Sequence, residues 1–249
     1  MTTAYHRPKT LEEALILLAR PDTNPLGGGT VVNQRSGKSF EVVDLQGLGI
    51  DKIHKVGEKL EIGAAVTLQA LLEFPHLPEA LKKAVKLEAP LNLRNMGTVA
   101  GTLVACDGRS PFATVILALD AKLEIQSSLN GIQTTRLGEL LPLRDELLRG
   151  KLITRIDIPL NAKLAYESVA RTPMDRPIVC VSLSQWPSGR ARLVLGGWGK
   201  SPLLALDGNG PEGLEEAAHN AFAEASDQWA SAEYRREIAV VLAKRCLEQ

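Results

Sequence analysis

The chain has 249 residues, 45% of them hydrophobic, enough for a sizeable core and, at roughly 150 residues per domain, for about two domains. Lys and Arg (29) balance Asp and Glu (29), and no local basic run occurs, which argues against nucleic acid or an anionic membrane as partner. Met1 to Arg20 lacks the basic-then-apolar pattern of a secretory signal, and no apolar run approaches the ~20 residues of a membrane span, so a cytoplasmic location and no membrane span are expected.

From Thr10 the segment TLEEALILLAR places apolar side chains at Leu11, Ala14, Leu15 and Leu18, with Thr10 and Glu13 in a capping-box arrangement, and predicts a first helix. Pro21 to Pro25 breaks it. LGGGT, from Leu26 to Thr30, follows as a loop, and Val42, Val43 and Leu45 then mark a buried strand. Lys59–Ile62 and Ala64–Val66 read as a strand broken at Gly63, Thr67 as the start of a short helix ended by Pro75, and Pro78 to Leu87 as another helix.

A second glycine-bearing turn is expected at Gly97 to Gly101, followed by a polar loop from Asp107 to Ser110, a helix from Pro111 to Leu119 and a strand from Lys122 to Ile125. After a strand from Leu152 to Leu160 the pattern changes. YESVAR, IVCVSLSQW and ARLVLGGW predict three strands, and EGLEEAAHNAFAEA and AEYRREIAVVLAKRCLEQ predict two helices. A domain boundary is therefore drawn near Asn161. Cys106, Cys180 and Cys246 are widely spaced, without CxxC spacing or nearby His, and read as buried thiols rather than disulfide or metal ligands; no metal site is expected.

Gly27-Gly28-Gly29 permits backbone N–H groups to approach an anion without Cβ obstruction and to form a concave nest for phosphate. It is neither GxGxxG nor GxxxxGK[ST], and GGGT taken alone is more often a tight loop than a ligand site. Thr98-Val99-Ala100-Gly101-Thr102 offers a hydroxyl and further amides, and two such turns brought together would clamp both phosphates of a dinucleotide; a plain strand-to-strand turn is the other reading.

The order of these segments resembles the FAD-binding middle subunit of molybdenum hydroxylases of the xanthine dehydrogenase and carbon monoxide dehydrogenase type, within the wider p-cresol methylhydroxylase and vanillyl-alcohol oxidase flavin fold. YHRPKTLEEALILLAR resembles the family's opening strand, Pro and helix. LGGGT stands where the family has Leu-Ala-Gly-Gly-Thr or Leu-Ala-Gly-Gly-His, and LRNMGTVAGTL matches its Ile-Arg-Asn-x-Gly-Thr-Ile-Gly-Gly-Asn-Leu segment. LALDAKLEI lies in register, and SAEYRREIAVVLAKRCLE resembles the helix that closes the family.

The resemblance implies an α+β chain. A two-lobed flavin-binding domain would span 1–160, with lobes of about 1–54 and 55–160, and a small C-terminal domain at 161–249 would hold a three-stranded sheet covered by helices. It implies noncovalent FAD, since His6, His54, His76 and His219 are scattered away from the first loop. Leu26, Gly27, Gly28, Gly29, Thr30, Val31, Val32 and Asn33 would form one wall of the cofactor site and Thr98, Val99, Ala100, Gly101 and Thr102 the other, with Ile153 as an apolar contact and Asp107 or Ser110 as a polar one in place of the family Asp that falls on Pro111.

The implied partners are an iron–sulfur small subunit and a molybdopterin-binding large subunit, with NAD, a quinone or oxygen as final acceptor. No catalytic residue is named, because the flavin itself carries the redox chemistry. The chain departs from the family pattern at Ala100, Thr102 and Pro111, and a family Lys falls on Glu167 or Ser168, with Arg171 a candidate replacement. These departures motivate a second reading, a degenerate flavin fold without FAD that serves as a structural subunit. A free-standing flavin oxidoreductase is a third.

Overall fold

A computed structural model describes residues 2–31, 39–173 and 175–249, which divide into two compact units. The first comprises Met1–Phe74, Leu91–Ala105 and Lys122–Asp157, and the second Pro75–Pro90, Cys106–Ala121 and Ile158–Gln249. The architecture is α+β.

The first unit opens with β1 (Thr2–His6) and α1 (Leu11–Leu18). Thr10 caps α1 by accepting the Glu13 N–H at 3.2 Å, while the Glu13 carboxylate accepts the N–H of Lys9 rather than that of Thr10, so the predicted box closes one residue early. Ala14, Leu15 and Leu18 bury against Val43, Leu45 and Leu152. β2 (Thr23–Leu26) and β3 (Phe40–Asp44) complete a parallel sheet in the order β1-β3-β2. β2 occupies part of the stretch read from sequence as a helix-breaking loop. Pro25 is compatible with it because β2 is an edge strand, where a missing N–H is tolerated.

β4 (Ile53–Val56) and β5 (Lys59–Gly63) form a hairpin, as do β6 (Lys122–Ser127) and β7 (Gly131–Arg136). With β8 (Leu152–Pro159) they make a five-stranded sheet in the order β4-β5-β8-β6-β7. Three short helices also belong to this unit: α2 (Leu68–Glu73), α4 (Leu91–Arg94) and α5 (Val99–Ala105). α7 (Leu137–Leu147) precedes β8 and contains Pro142.

In the second unit β9 (Lys163–Val169), β10 (Val179–Gln185), β11 (Arg190–Gly196) and β12 (Leu203–Asn209) form an antiparallel sheet in the order β12-β11-β10-β9. The sheet therefore has four strands, not the expected three. LLALDGN pairs along β11 as an edge strand, with Asp207 turned to Arg190 and Arg192 instead of to an apolar core, and so lacks a clean hydrophobic alternation.

Strand β10 is buried on both sides. Val179, Val181 and Leu183 pack with residues of α8 (Leu214–Ala221) and α9 (Ala232–Glu248), whereas Cys180 meets Thr114 of α6 (Pro111–Ala118) across the opposite face. This two-sided cover explains the near-continuous apolar run that the sequence shows there. Ser231 caps α9, and Arg235, fully buried, binds both carboxylate oxygens of Asp227 at 2.8 and 2.9 Å and the carbonyls of Ile178, Ala225 and Ala230. Among the described residues no helix is long and apolar enough to cross a membrane.

Candidate functional site

The last rung of β2 is the Leu45 N–H donating to the Leu26 carbonyl at 3.0 Å, after which Gly27 to Thr30 leave the parallel sheet at its carboxyl end. This loop lies directly on the second glycine segment. A Cβ on Gly28 would stand 1.6 Å from the Met96 carbonyl oxygen, and one on Gly27 would stand 2.8 Å from Oγ1 of Thr98. From the other side, a Cβ on Gly101 would also stand 2.8 Å from Thr98 Oγ1. Glycine at 27 and 28 is therefore required by the close approach of two backbones, with the buried Thr98 wedged between them.

The second segment is not an open turn. Thr98 bridges to Thr67, and Val99–Ala105 is the helix α5, so the amides that sequence reading offered to a ligand have partners inside the protein. Val99 N–H donates to Val66 O at 2.8 Å and Ala100 N–H to Ala64 O at 3.3 Å. Gly101 N–H donates to Thr98 Oγ1 at 3.2 Å. The Thr102 amide and hydroxyl both reach the Thr98 carbonyl, at 2.9 and 2.8 Å. Ala100 is 8% exposed, and among the described residues the non-glycine positions of positive φ are Asp22, His76 and Asp120, so its methyl is accommodated without backbone strain.

The first loop is the opposite case. Among the described residues no hydrogen bond engages the amides of Gly27, Gly28, Gly29 or Thr30, and each of the four is only partly exposed. Successive amides without partners among the described residues, three of them on glycines that keep side chains out of the way, form the donor set that a phosphate requires. The residues present therefore fit a dinucleotide pyrophosphate, with the first loop donating and the second segment serving as its backing.

Val31 follows with 46% exposure, while Val32 and Asn33 lie outside the described residues. Ile153 is 3% exposed on β8, opposite Ile125, and offers little surface. Asp107 belongs to the second unit, where it receives a forked pair of bonds from Arg176 at 2.6 and 2.8 Å and the Arg109 amide at 2.8 Å. Arg171, also in the second unit, stacks on Trp229 at 4.5 Å and pairs with Asp175 at 3.9 Å. Two hollows of about 260 and 420 Å³ likewise belong to the second unit, and in the first unit it is the donors and glycines that mark the site.

One neighbour escaped the sequence reading. Asp44, the last residue of β3 and paired with Leu26, is a buried carboxylate at the rim from which the glycine loop departs. The signal was a second acidic residue closing the strand FEVVD directly after its apolar pair Val42-Val43.

Residues 1–161 match the family described as the FAD binding domain in molybdopterin dehydrogenase. The chain is 29% identical over 271 residues to the nicotine 6-hydroxylase medium subunit of Paenarthrobacter nicotinovorans, covering 98% of this chain and 95% of that one. It is 27% identical over 281 residues to the carbon monoxide dehydrogenase medium chain of Afipia carboxidovorans, with coverage of 98% and 95%. In three dimensions it is similar to a chain of the reconstituted CO dehydrogenase from Oligotropha carboxidovorans, with a TM-score of 0.83 and 26% identity over 98% of this chain and 96% of that one.

Proposed function

The chain belongs to the family of FAD binding domains in molybdopterin dehydrogenases and is an oxidoreductase subunit, and from that membership we propose that it holds FAD noncovalently and relays electrons within a molybdenum hydroxylase complex. The observation that carries this reading is the run of amides from Gly27 to Thr30, without partners among the described residues and seated on Met96 and Thr98, inside the segment that the family matches.

FAD, when bound, supplies the redox chemistry, and the protein supplies binding, orientation and electrostatics. In this reading the amides of Gly27, Gly28, Gly29 and Thr30 donate to the pyrophosphate. Thr98 holds the two segments together, and Leu26 and Val31 continue the first wall. Val99, Ala100, Gly101 and Thr102 form the second wall as the first turn of α5, and Ile153 backs the site from within β8.

Electrons leave a molybdenum centre on a large subunit, cross iron–sulfur clusters on a small subunit and reach this chain, which passes them to NAD, a quinone or oxygen. Flavin binding falls to residues 1–160, a C-terminal domain covers 161–249, and the complex works in the cytoplasm. The names of the relatives, medium subunit and medium chain, support the assembly. The alternative of a degenerate fold without FAD rested on Ala100, Thr102, Pro111 and the missing Lys, and the buried, unstrained setting of Ala100 counts against the first of these.

The test is isolation of the tagged full chain from its own host. The expected preparation contains FAD, molybdopterin, iron and acid-labile sulfide together. Isolation of a lone, flavin-free chain from cells making the molybdenum and iron–sulfur subunits would contradict the proposal.

A further inference from the structure

The three parallel strands β1, β3 and β2 all end on one rim of their sheet, and ligands of parallel sheets sit outside such carboxyl ends. Gly27 follows the end of β2 and Arg7 follows the end of β1, with β3 and its terminal Asp44 between them. The register sets His6 beside Val43 and Leu26 beside Asp44, so the residues after β1 and β2 are separated by two strand spacings, roughly 10 Å. An extended arginine side chain and a pyrophosphate together span that gap.

Asp44 is held on its own side by two donors: the Gln46 N–H at 2.9 Å and the Tyr5 hydroxyl. Arg7 approaches it with Nε 3.7 Å from Oδ2, an ion pair too long to be a hydrogen bond. The Arg7 side chain is 67% exposed, and among the described residues Asp44 is the acid it meets. Its guanidinium fork is thus anchored at one edge by a buried carboxylate and open for a bidentate anion, the geometry in which arginine recognises phosphate.

Resting on the flavin reading above, we infer that Arg7 is a further binding residue for the FAD pyrophosphate, held at the rim by Asp44 and supplying the positive charge that the glycine loop lacks. Gly27 to Thr30 contribute neutral amides only, and a doubly charged pyrophosphate is held more tightly when a cation completes the set. Arg7 acts on binding, and Asp44 is a positioning residue that acts through Arg7.

The experiment is titration of the flavin-free full chain with FAD, followed by flavin fluorescence at low and high salt. Arg7→Gln should weaken FAD binding by about tenfold or more, the scale of a charge-assisted hydrogen bond, and flatten its salt dependence. Arg7→Lys keeps the charge without the fork and should fall between Arg7→Gln and the parent. Arg20→Gln, an exposed arginine after α1, should leave the affinity unchanged and so exclude an effect of net charge. Asp44→Asn should weaken binding severalfold in the parent and have little further effect on FAD affinity in the Arg7→Gln background, a coupling that plain loss of stability does not produce. Unchanged FAD affinity and salt dependence in Arg7→Gln, with the parent binding FAD, would overturn this assignment alone. A parent chain that takes up no FAD would overturn the flavin reading, and this assignment with it.

Discussion

A methyl group at position 28 would stand 1.6 Å from a backbone oxygen of Met96, a distance that no rotamer change can relieve. Gly28→Ala should therefore destabilise the chain by about 3 kcal/mol, through overpacking of backbone on backbone. Gly29 has φ +70°, and Gly29→Ala should cost only about 1 kcal/mol, the penalty of a left-handed L-residue. Denaturant midpoints of the two variants check the contrast, and equal losses would count against the close approach. The glycines were legible as a loop in the sequence, but the reason for two of them was not, because Met96 and Thr98 lie about seventy residues away and no local pattern announces the meeting. The opposite holds for Thr98 to Thr102. Their composition suggested free donors, yet the carbonyls of Val66 and Ala64 take the amides of Val99 and Ala100, and Thr98 takes those of Gly101 and Thr102.

Among the elements, those with strong periodicity and caps were readable: α1 from Thr10, α2 from Thr67, α9 from Ser231, and the apolar strands β8, β10 and β11. The elements that escaped share a physical cause, since each is stabilised by neighbours rather than by its own pattern. β2 contains Pro25, β7 is an almost wholly exposed edge, and β12 ends in polar residues. α7 holds Pro142 in its second turn, where the missing N–H forgoes one bond to the Gly138 carbonyl.

Two elements of the second unit depend on charges that apolar patterning does not reveal. Arg235→Ala in α9 would leave Asp227 and the carbonyls of Ile178, Ala225 and Ala230 without their shared donor, and should cost roughly 3–5 kcal/mol in a thermal or denaturant melt. On β12, hydrogen bonds from Arg190, aided by the charge of Arg192, hold the Asp207 carboxyl below its ordinary range. A carboxyl depressed in the folded state contributes stability above its unfolded value of about 3.9, and that stability is lost as pH falls through the lower folded value. The melting midpoint should thus drop below about pH 4, and Asp207→Asn, already lacking this contribution at neutral pH, should show a shallower drop. An identical acid limb in parent and variant would contradict the coupling.

At the scale of the whole molecule, the family match runs over residues 1–161 as one contiguous stretch, whereas the two compact units interleave: residues 75–90 and 106–121 fold with the C-terminal sheet. A linear reading of composition finds no such interleaving, because helices α3 (Glu79–Glu88) and α6 differ from their neighbours in what they pack against and not in residue type. Lineage was legible in the sequence through motifs spread along the chain, and the choice between a working and an emptied flavin fold was not. The structure bears on that choice through the glycine loop, whose donors are free of described partners and whose backing at Met96 and Thr98 is in place. The most direct measurement is the flavin content of the purified full chain after saturation with FAD and removal of unbound ligand. Close to one FAD per chain is expected, released intact by acid or heat because it is held noncovalently. A chain that stays colourless, or that retains flavin only through a covalent bond, would contradict it.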